Sequence, residues 1–277
     1  MLITLEEMRK LHAIQLEMLR ELMRVMKKLN VRYYFVHGSL LSAVTTHKFI
    51  EEDDDIDIAV FREDYERLLK RGNDIVDSKY FLQCSQNDDF PLGFAKFRNK
   101  ETEFYQPVLE RYACHKGIYI DVFPIDFVPE FETRTSRTKR LLLNIRINSR
   151  LKVDRGWKQR CLSVLSMLIY PSYNAAVKKR EALYAACPAS KYVSIFGGKA
   201  SEQRMPCSWF GEGYMDEFCK IEVNCPSDYD AYLTRIYGQN YWDKNPAEDR
   251  ISPDQKIDVS ASYIDFGDGY ILGNKDV

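Results

Sequence analysis

Three aspartates and a glycine-serine pair hold the chemistry this chain is equipped for. Asp55 and Asp57 alternate with Ile56 and Ile58, the period of a β-strand, which sends both carboxylates to one face and both isoleucines to the other. Paired carboxylates suit a hard divalent cation, Mg2+ or Mn2+, whose remaining coordination is filled by waters and substrate phosphates. A third carboxylate is expected from Asp121 in the run GIYIDVFPID, where Ile118, Ile120 and Val122 point one way and Tyr119, Asp121 and Phe123 the other. An acid in so apolar a strand is costly to bury unless something compensates for it. Asp55, Asp57 and Asp121 are therefore the candidate catalytic and metal-ligating residues.

Upstream, the β-branched and aromatic run Tyr33 to Val36 ends at Gly38 and Ser39, so a buried strand is expected to open into a tight turn or helix start. Glycine lets a phosphate approach the backbone N–H groups, and the serine hydroxyl adds a donor. A small-residue turn is ordinary punctuation when it stands alone, and an acidic run such as Glu51 to Asp55 is usually a solvated loop. Here the acids continue into strand alternation, which a solvated loop does not require.

The whole stretch GSLLSAVTTHKFIEEDDDIDIAV resembles the signature of the LicD family of phosphocholine transferases, related to the fukutin proteins and built on the nucleotidyltransferase fold shared with β-type polymerases. The likeness extends to Lys96–Thr102, a basic segment ending in threonine, and to IDVFPIDFVP from Ile120 to Pro129. It continues at Trp209 to Gly213, followed by a proline-opened helix ending at Tyr237 and Gly238. Thr45, Lys48 and Glu51-Glu52 stand where the family usually has arginine, glycine and Pro-Trp; Lys48, Lys96 or Arg98 could neutralise phosphate in place of the arginine.

The resemblance implies metal-dependent transfer of a phospho-alcohol, first of all phosphocholine from CDP-choline, to a hydroxyl of a cell-surface glycan or its lipid-linked precursor, with release of CMP. Gly38, Ser39, Lys96 and Arg98 would hold the nucleotide phosphates, and Asp55, Asp57 and Asp121 the Mg2+ or Mn2+. Two other functions fit the same residues: transfer of NMP from an NTP to a small hydroxylated acceptor, and a non-catalytic carbohydrate- or metal-binding protein.

The elements that must position these residues read as an α+β fold, a nucleotidyltransferase-like mixed β-sheet flanked by helices with an additional mainly helical subdomain. Thr4 with Glu7 makes a capping box, and Leu5, Met8, Leu11, Met18, Leu22, Val25 and Leu29 form the stripe of a packing helix that stops at Asn30. Strands are expected at Arg32–Val36, Asp55–Phe61, Phe81–Ser85, Gly93–Phe97 and Gly117–Phe123, with a helix over Glu63–Arg71. Residues 1–130 form the expected catalytic core, and 131–277 a helical acceptor-side region with a C-terminal tail packed on that core. In the second half a helix runs from Pro171 to about Ala186, a strand from Tyr192 to Phe196 and a helix from Ser227 to Tyr237, before a loop-rich stretch from Pro246.

Composition excludes several classes. The net charge of −1 over 277 residues gives no general attraction to nucleic acid, and a 45% hydrophobic chain is not disordered. Seven scattered cysteines and no secretory leader predict free thiols and a cytoplasmic location, at the inner face of the membrane if lipid is involved. Cys187, Cys207, Cys219 and Cys225 lack the paired spacing of a zinc site. From Thr133 to Arg160 there are ten basic residues and one acid, Asp154, followed by the apolar run CLSVLSMLIY, which is about half of what a bilayer span needs. This region is either a helical unit with a solvated basic face or a peripheral membrane contact, with Arg146, Arg150 and Lys152 among its charges.

Overall fold

The computed structural model describes residues 4–130, 133–149, 156–195, 204–244 and 256–258. Its first helix, α1 (Leu5–Lys28), starts as the sequence dictates: Thr4 Oγ1 accepts the Glu7 N–H at 3.2 Å while the Glu7 carboxylate accepts the Thr4 N–H at 2.7 Å. Met8, Leu11, Met18, Leu22 and Val25 of the expected stripe are buried, whereas Leu5 is exposed. Then come β1 (Tyr33–Phe35), α2 (His37–Thr46), β2 (Asp57–Phe61), α3 (Arg62–Arg71), β3 (Tyr80–Gln83), β4 (Ala95–Asn99), β5 (Glu103–Tyr105) and β6 (Tyr119–Val128). The second half adds α4 (Arg134–Asn148), α5 (Trp157–Ile169), α6 (Tyr173–Ala185), β7 (Tyr192–Ile195), β8 (Met205–Pro206), β9 (Tyr214–Phe218), β10 (Ile221–Cys225), α7 (Tyr229–Tyr237) and β11 (Lys256–Asp258).

The main sheet runs β1-β2-β6-β4-β3, and β7 and β8 extend it from the far half of β6. Its one parallel pairing is β2 with β6; the other pairings are antiparallel. The result is a curled mixed sheet flanked by helices, as expected. Strand β6 outruns its predicted end at Phe123, because Pro124 falls where β4 has finished, opposite Val122, and β7 has yet to begin, opposite Ile125. A missing N–H costs nothing at such a gap. Strand β3 stops before Cys84, where the Asn87 side chain takes over the ladder: it accepts the Cys84 N–H at 2.8 Å and donates to the Leu82 carbonyl at 2.7 Å.

Helices α4 and α6 share a small core of Leu143, Ile147, Ala176 and Val177. They are fastened to the sheet by Arg62, which donates to both oxygens of Asp126 at 2.6 and 2.7 Å and lies 3.5 Å from Glu181 of α6. Hairpin β9–β10 turns through Cys219 and Lys220, both left-handed, with φ of 51° and 62°. A two-residue turn needs this backbone, but the sequence lacks the Asn-Gly signal that usually announces it. The expected strand at Tyr192–Phe196 is found over Tyr192–Ile195, Phe196 lying outside the described residues. Within the loop-rich stretch expected from Pro246, Lys256–Asp258 form a strand paired with β5; Pro246 itself lies outside the described residues. Among the described residues the seven cysteines carry no disulfide, and no helix is long and apolar enough to cross a membrane.

Asp126→Ala removes the bidentate partner of the largely buried Arg62 guanidinium, leaving Glu181 at 3.5 Å, and urea unfolding is expected to show a loss of about 3 kcal/mol. Arg62→Met with Asp126→Leu should recover most of that loss; a single variant as stable as the parent would remove the clamp from the account.

Candidate metal centre

Sheet register brings the predicted acids together. Asp57 on β2 stands directly beside Asp121 on β6, and Asp121 directly beside Lys96 on β4. Residues abreast in a ladder point to the same face, so two carboxylates and an ammonium form a row across three strands. Asp55, just ahead of β2, joins them: one oxygen from each of Asp55, Asp57 and Asp121 lies within 4.8 Å of the others. Asp53, Asp54 and Asp55 make an adjoining cluster of the same kind. Asp55, Asp57 and Asp121 line a cleft of about 370 Å³, whose wall also includes Asp54, His37, Gln106, Tyr119 and Phe123.

Neutral donors and acceptors hold this acidic segment. Ser39 Oγ accepts the Asp57 N–H at 2.8 Å, and the Asp57 carbonyl accepts the Val36 N–H at 3.2 Å. Gln15 Nε2, buried in the middle of α1, donates to the Asp54 carbonyl at 2.8 Å and the Tyr119 carbonyl at 3.3 Å. His12 Nε2 donates to the Asp53 carbonyl at 2.7 Å while its ring stacks on Phe49 at 3.9 Å. Burial holds the His12 ring below its usual range, which keeps it neutral.

The electrostatics follow from dehydration. Lys96 Nζ donates to Asp121 Oδ1 at 2.6 Å and sits 3.3 Å from the Tyr119 ring centroid. Burial pushes the Asp121 carboxyl up to about 6, with Lys96 opposing that rise and Asp55 adding to it. Burial likewise pushes the Lys96 ammonium down against the pull of Asp121. Three convergent carboxylates on an open cleft form an all-oxygen donor set, and their mutual repulsion is relieved by a divalent cation. The residues therefore fit Mg2+ or Mn2+.

The other predicted residues are placed less evenly. Gly38 and Ser39 form the first turn of α2 and are buried; such a turn leaves backbone N–H groups without partners inside the helix, but the Ser39 hydroxyl is engaged with Asp57. Arg98 lies two residues along β4 from Lys96, fully buried, donating to Gln83 Oε1 at 2.8 Å and the Gly117 carbonyl at 2.6 Å. Its guanidinium braces β4 and does not line the cleft. Lys48 is exposed, and Thr45 donates to the Leu41 carbonyl at 2.6 Å.

Several site residues escape sequence reasoning. His37 has a left-handed backbone, φ 50°, packs edge-on against Phe123 at 5.6 Å and lies 3.3 Å from the Tyr232 hydroxyl of α7. Gln106 donates to the Tyr119 hydroxyl at 2.9 Å. Gln15 does leave a trace, as a polar residue inside an otherwise apolar helical stripe. Nothing local marks Tyr232, which comes to the site from almost two hundred residues downstream, with a separation of 195.

A curled mixed sheet that sets carboxylates of neighbouring strands abreast at the mouth of a cleft, beside the first turn of a helix, is a nucleotidyltransferase-type domain. Residues 30–145 match the family described as LicD/FKTN/FKRP, nucleotidyltransferase domain. All three acids, Lys96 and Arg98 lie within the matched segment. No curated protein matches the chain in sequence.

Ser39→Ala removes the acceptor for a buried N–H beside Asp57. Urea unfolding is expected to show a loss of about 1–3 kcal/mol, and Mn2+ titration an affinity reduced about tenfold or more through the displaced carboxylate. Unchanged Mn2+ affinity would mean that Ser39 does not position Asp57.

Proposed function

We propose that this protein transfers a phospho-alcohol, phosphocholine from CDP-choline first among the candidates, to a hydroxyl of a cell-surface glycan or its lipid-linked precursor, releasing CMP. The observation that supports it most is the convergence of Asp55, Asp57 and Asp121 on an open cleft within the segment that matches a transferase family. Asp55, Asp57 and Asp121 would hold Mg2+ or Mn2+, which when bound neutralises pyrophosphate charge and stabilises the attacking and leaving oxygens of an in-line displacement.

The acceptor oxygen bonds to the phosphorus that carries the alcohol, and the bond from that phosphorus to the bridging oxygen of CMP breaks. Asp121 takes the acceptor's hydroxyl proton as the general base. The first turn of α2, with Gly38 and Ser39, faces the nucleotide phosphates through backbone N–H groups. Lys96 holds Asp121 in place and adds positive charge beside the breaking bond, and Arg98 adds charge from further along the same face of β4. The reaction belongs at the cytoplasmic face of the membrane, where CDP-alcohols and lipid-linked glycans meet.

The cleft also has a surface for a quaternary ammonium ion. Phe123 lines it, backed by Phe94 at 4.5 Å, with His37 edge-on, and an aromatic face attracts such a cation. Phe123→Ala is expected to raise KM for CDP-choline about 3- to 30-fold and to leave KM for CDP-glycerol and CDP-ribitol unchanged; equal losses would rule choline out as the preferred group.

The test of the reaction is release of CMP from CDP-choline, CDP-ribitol or CDP-glycerol with Mg2+ or Mn2+, beside release of pyrophosphate from CTP. CMP is expected, and Asp57→Asn should slow its release about 10²–10³-fold with thermal stability retained. Pyrophosphate in place of CMP would move the protein to nucleotidyl transfer; neither product from any donor would leave a non-catalytic binding protein.

A further inference from the structure

Helix α5 is built inside out for a helix in water. Trp157, Cys161, Val164, Leu165 and Leu168 recur at spacings of 4, 3, 1 and 3, which puts them on one face. In a water-soluble protein that face is the one that packs inward. Here it points away from the protein: Trp157 is 71% exposed, Val164 58% and Leu168 76%. The face turned toward the protein carries Ser163 and Ser166, the latter fully buried. Their hydroxyls donate within the helix, to the Gln159 and Ser163 carbonyls at 2.8 and 2.7 Å. Small residues that satisfy themselves let α5 lie close against α4, as helices do where lipid, not water, covers the outer face.

We propose that α5 is a monotopic membrane anchor that lies in the interface of an anionic bilayer. At thirteen residues it reaches about 20 Å, short of the roughly 30 Å of a hydrocarbon core, so it lies along the surface. Charge complementarity selects the occupant. Over the described parts of 133–170 the basic residues are Arg134, Arg137, Lys139, Arg140, Arg146, Lys158 and Arg160, and there is no acid, in a chain whose net charge is −1. An exposed apolar face on a helix pair this rich in basic residues matches acyl chains below phosphatidylglycerol-like headgroups.

The structure also separates the charges. Arg146 is buried and donates to the Tyr170 and Pro171 carbonyls at 2.7 and 3.0 Å. It fastens the end of α5 to α4 and is not a headgroup contact. Arg150 and Lys152 lie outside the described residues. The exposed Lys158 of α5 and the exposed Arg134, Arg137 and Lys139 of α4 are the cations offered to the headgroups.

This assignment does not depend on the proposed chemistry, because its test reads membrane binding and not turnover. The full chain is sedimented with vesicles of phosphatidylcholine containing about one third phosphatidylglycerol, and with phosphatidylcholine alone. Wild type is expected to pellet with the anionic vesicles and to be released in part by high salt. Leu165→Gln with Leu168→Gln changes only exposed residues and should lower the vesicle partition coefficient about tenfold or more, with circular dichroism and thermal midpoint retained. Lys158→Glu with Arg160→Glu should weaken anionic binding and reduce its salt dependence. Wild type that stays in the supernatant, variants that pellet like wild type, or a dimer in light scattering that the leucine variants dissociate would each overturn the proposal.

Discussion

Asp57, Asp121 and Lys96 stand abreast on three neighbouring strands, and the cost of keeping those charges together in a largely dry place governs how this domain is built. Like carboxylates a few ångströms apart repel strongly once water is removed, so the site exists only because its surroundings fix it. Lys96 supplies one cation from β4. Uncharged groups add to it: Ser39 beneath Asp57, Gln15 under the Asp54 and Tyr119 carbonyls, and His12 on Asp53. Carboxylates crowded in this way are a setting that attracts a divalent cation.

The support comes from well beyond the family-matched segment. Helix α1, which carries Gln15 and His12, ends before residue 30, where the match begins. Helix α7 delivers Tyr232 to His37 from far downstream. Tyr34 of β1 donates to the Gly211 carbonyl at 2.6 Å, tying the aromatic-glycine turn to the sheet. The matched segment thus supplies the acidic cluster, while the flanking elements hold its loops in place.

The helices after β6 play a different part. They hang from the sheet largely through Arg62, Asp126 and Glu181, a buried charged joint more directional than an apolar contact. Their own core is small, and the largest apolar surface they own faces outward on α5. Tyr173 of α6 adds an apolar contact with the cluster of Phe90, Leu109 and Tyr112, and the far side of the region is apolar on α5.

Local sequence carried the capping box, the strand alternation of Asp55 to Val60 and the opposed faces around Asp121, because those depend on residues within a turn or two of one another. It determined that three acids would be available, that they would share faces with apolar neighbours turned inward, and which family they resemble. Two features were hidden by local rules that tertiary context overrode: Pro124 inside β6, tolerated at a gap between partners, and a glycine-free hairpin at Cys219 and Lys220. The register that sets Asp57 against Asp121 and Asp121 against Lys96 was decided only by the folded sheet. So were the different partners that separate the buried Lys96 and Arg98 in role and the outward turn of α5, since pairing partner and solvent exposure are properties of distant segments meeting and no stretch of the chain contains them.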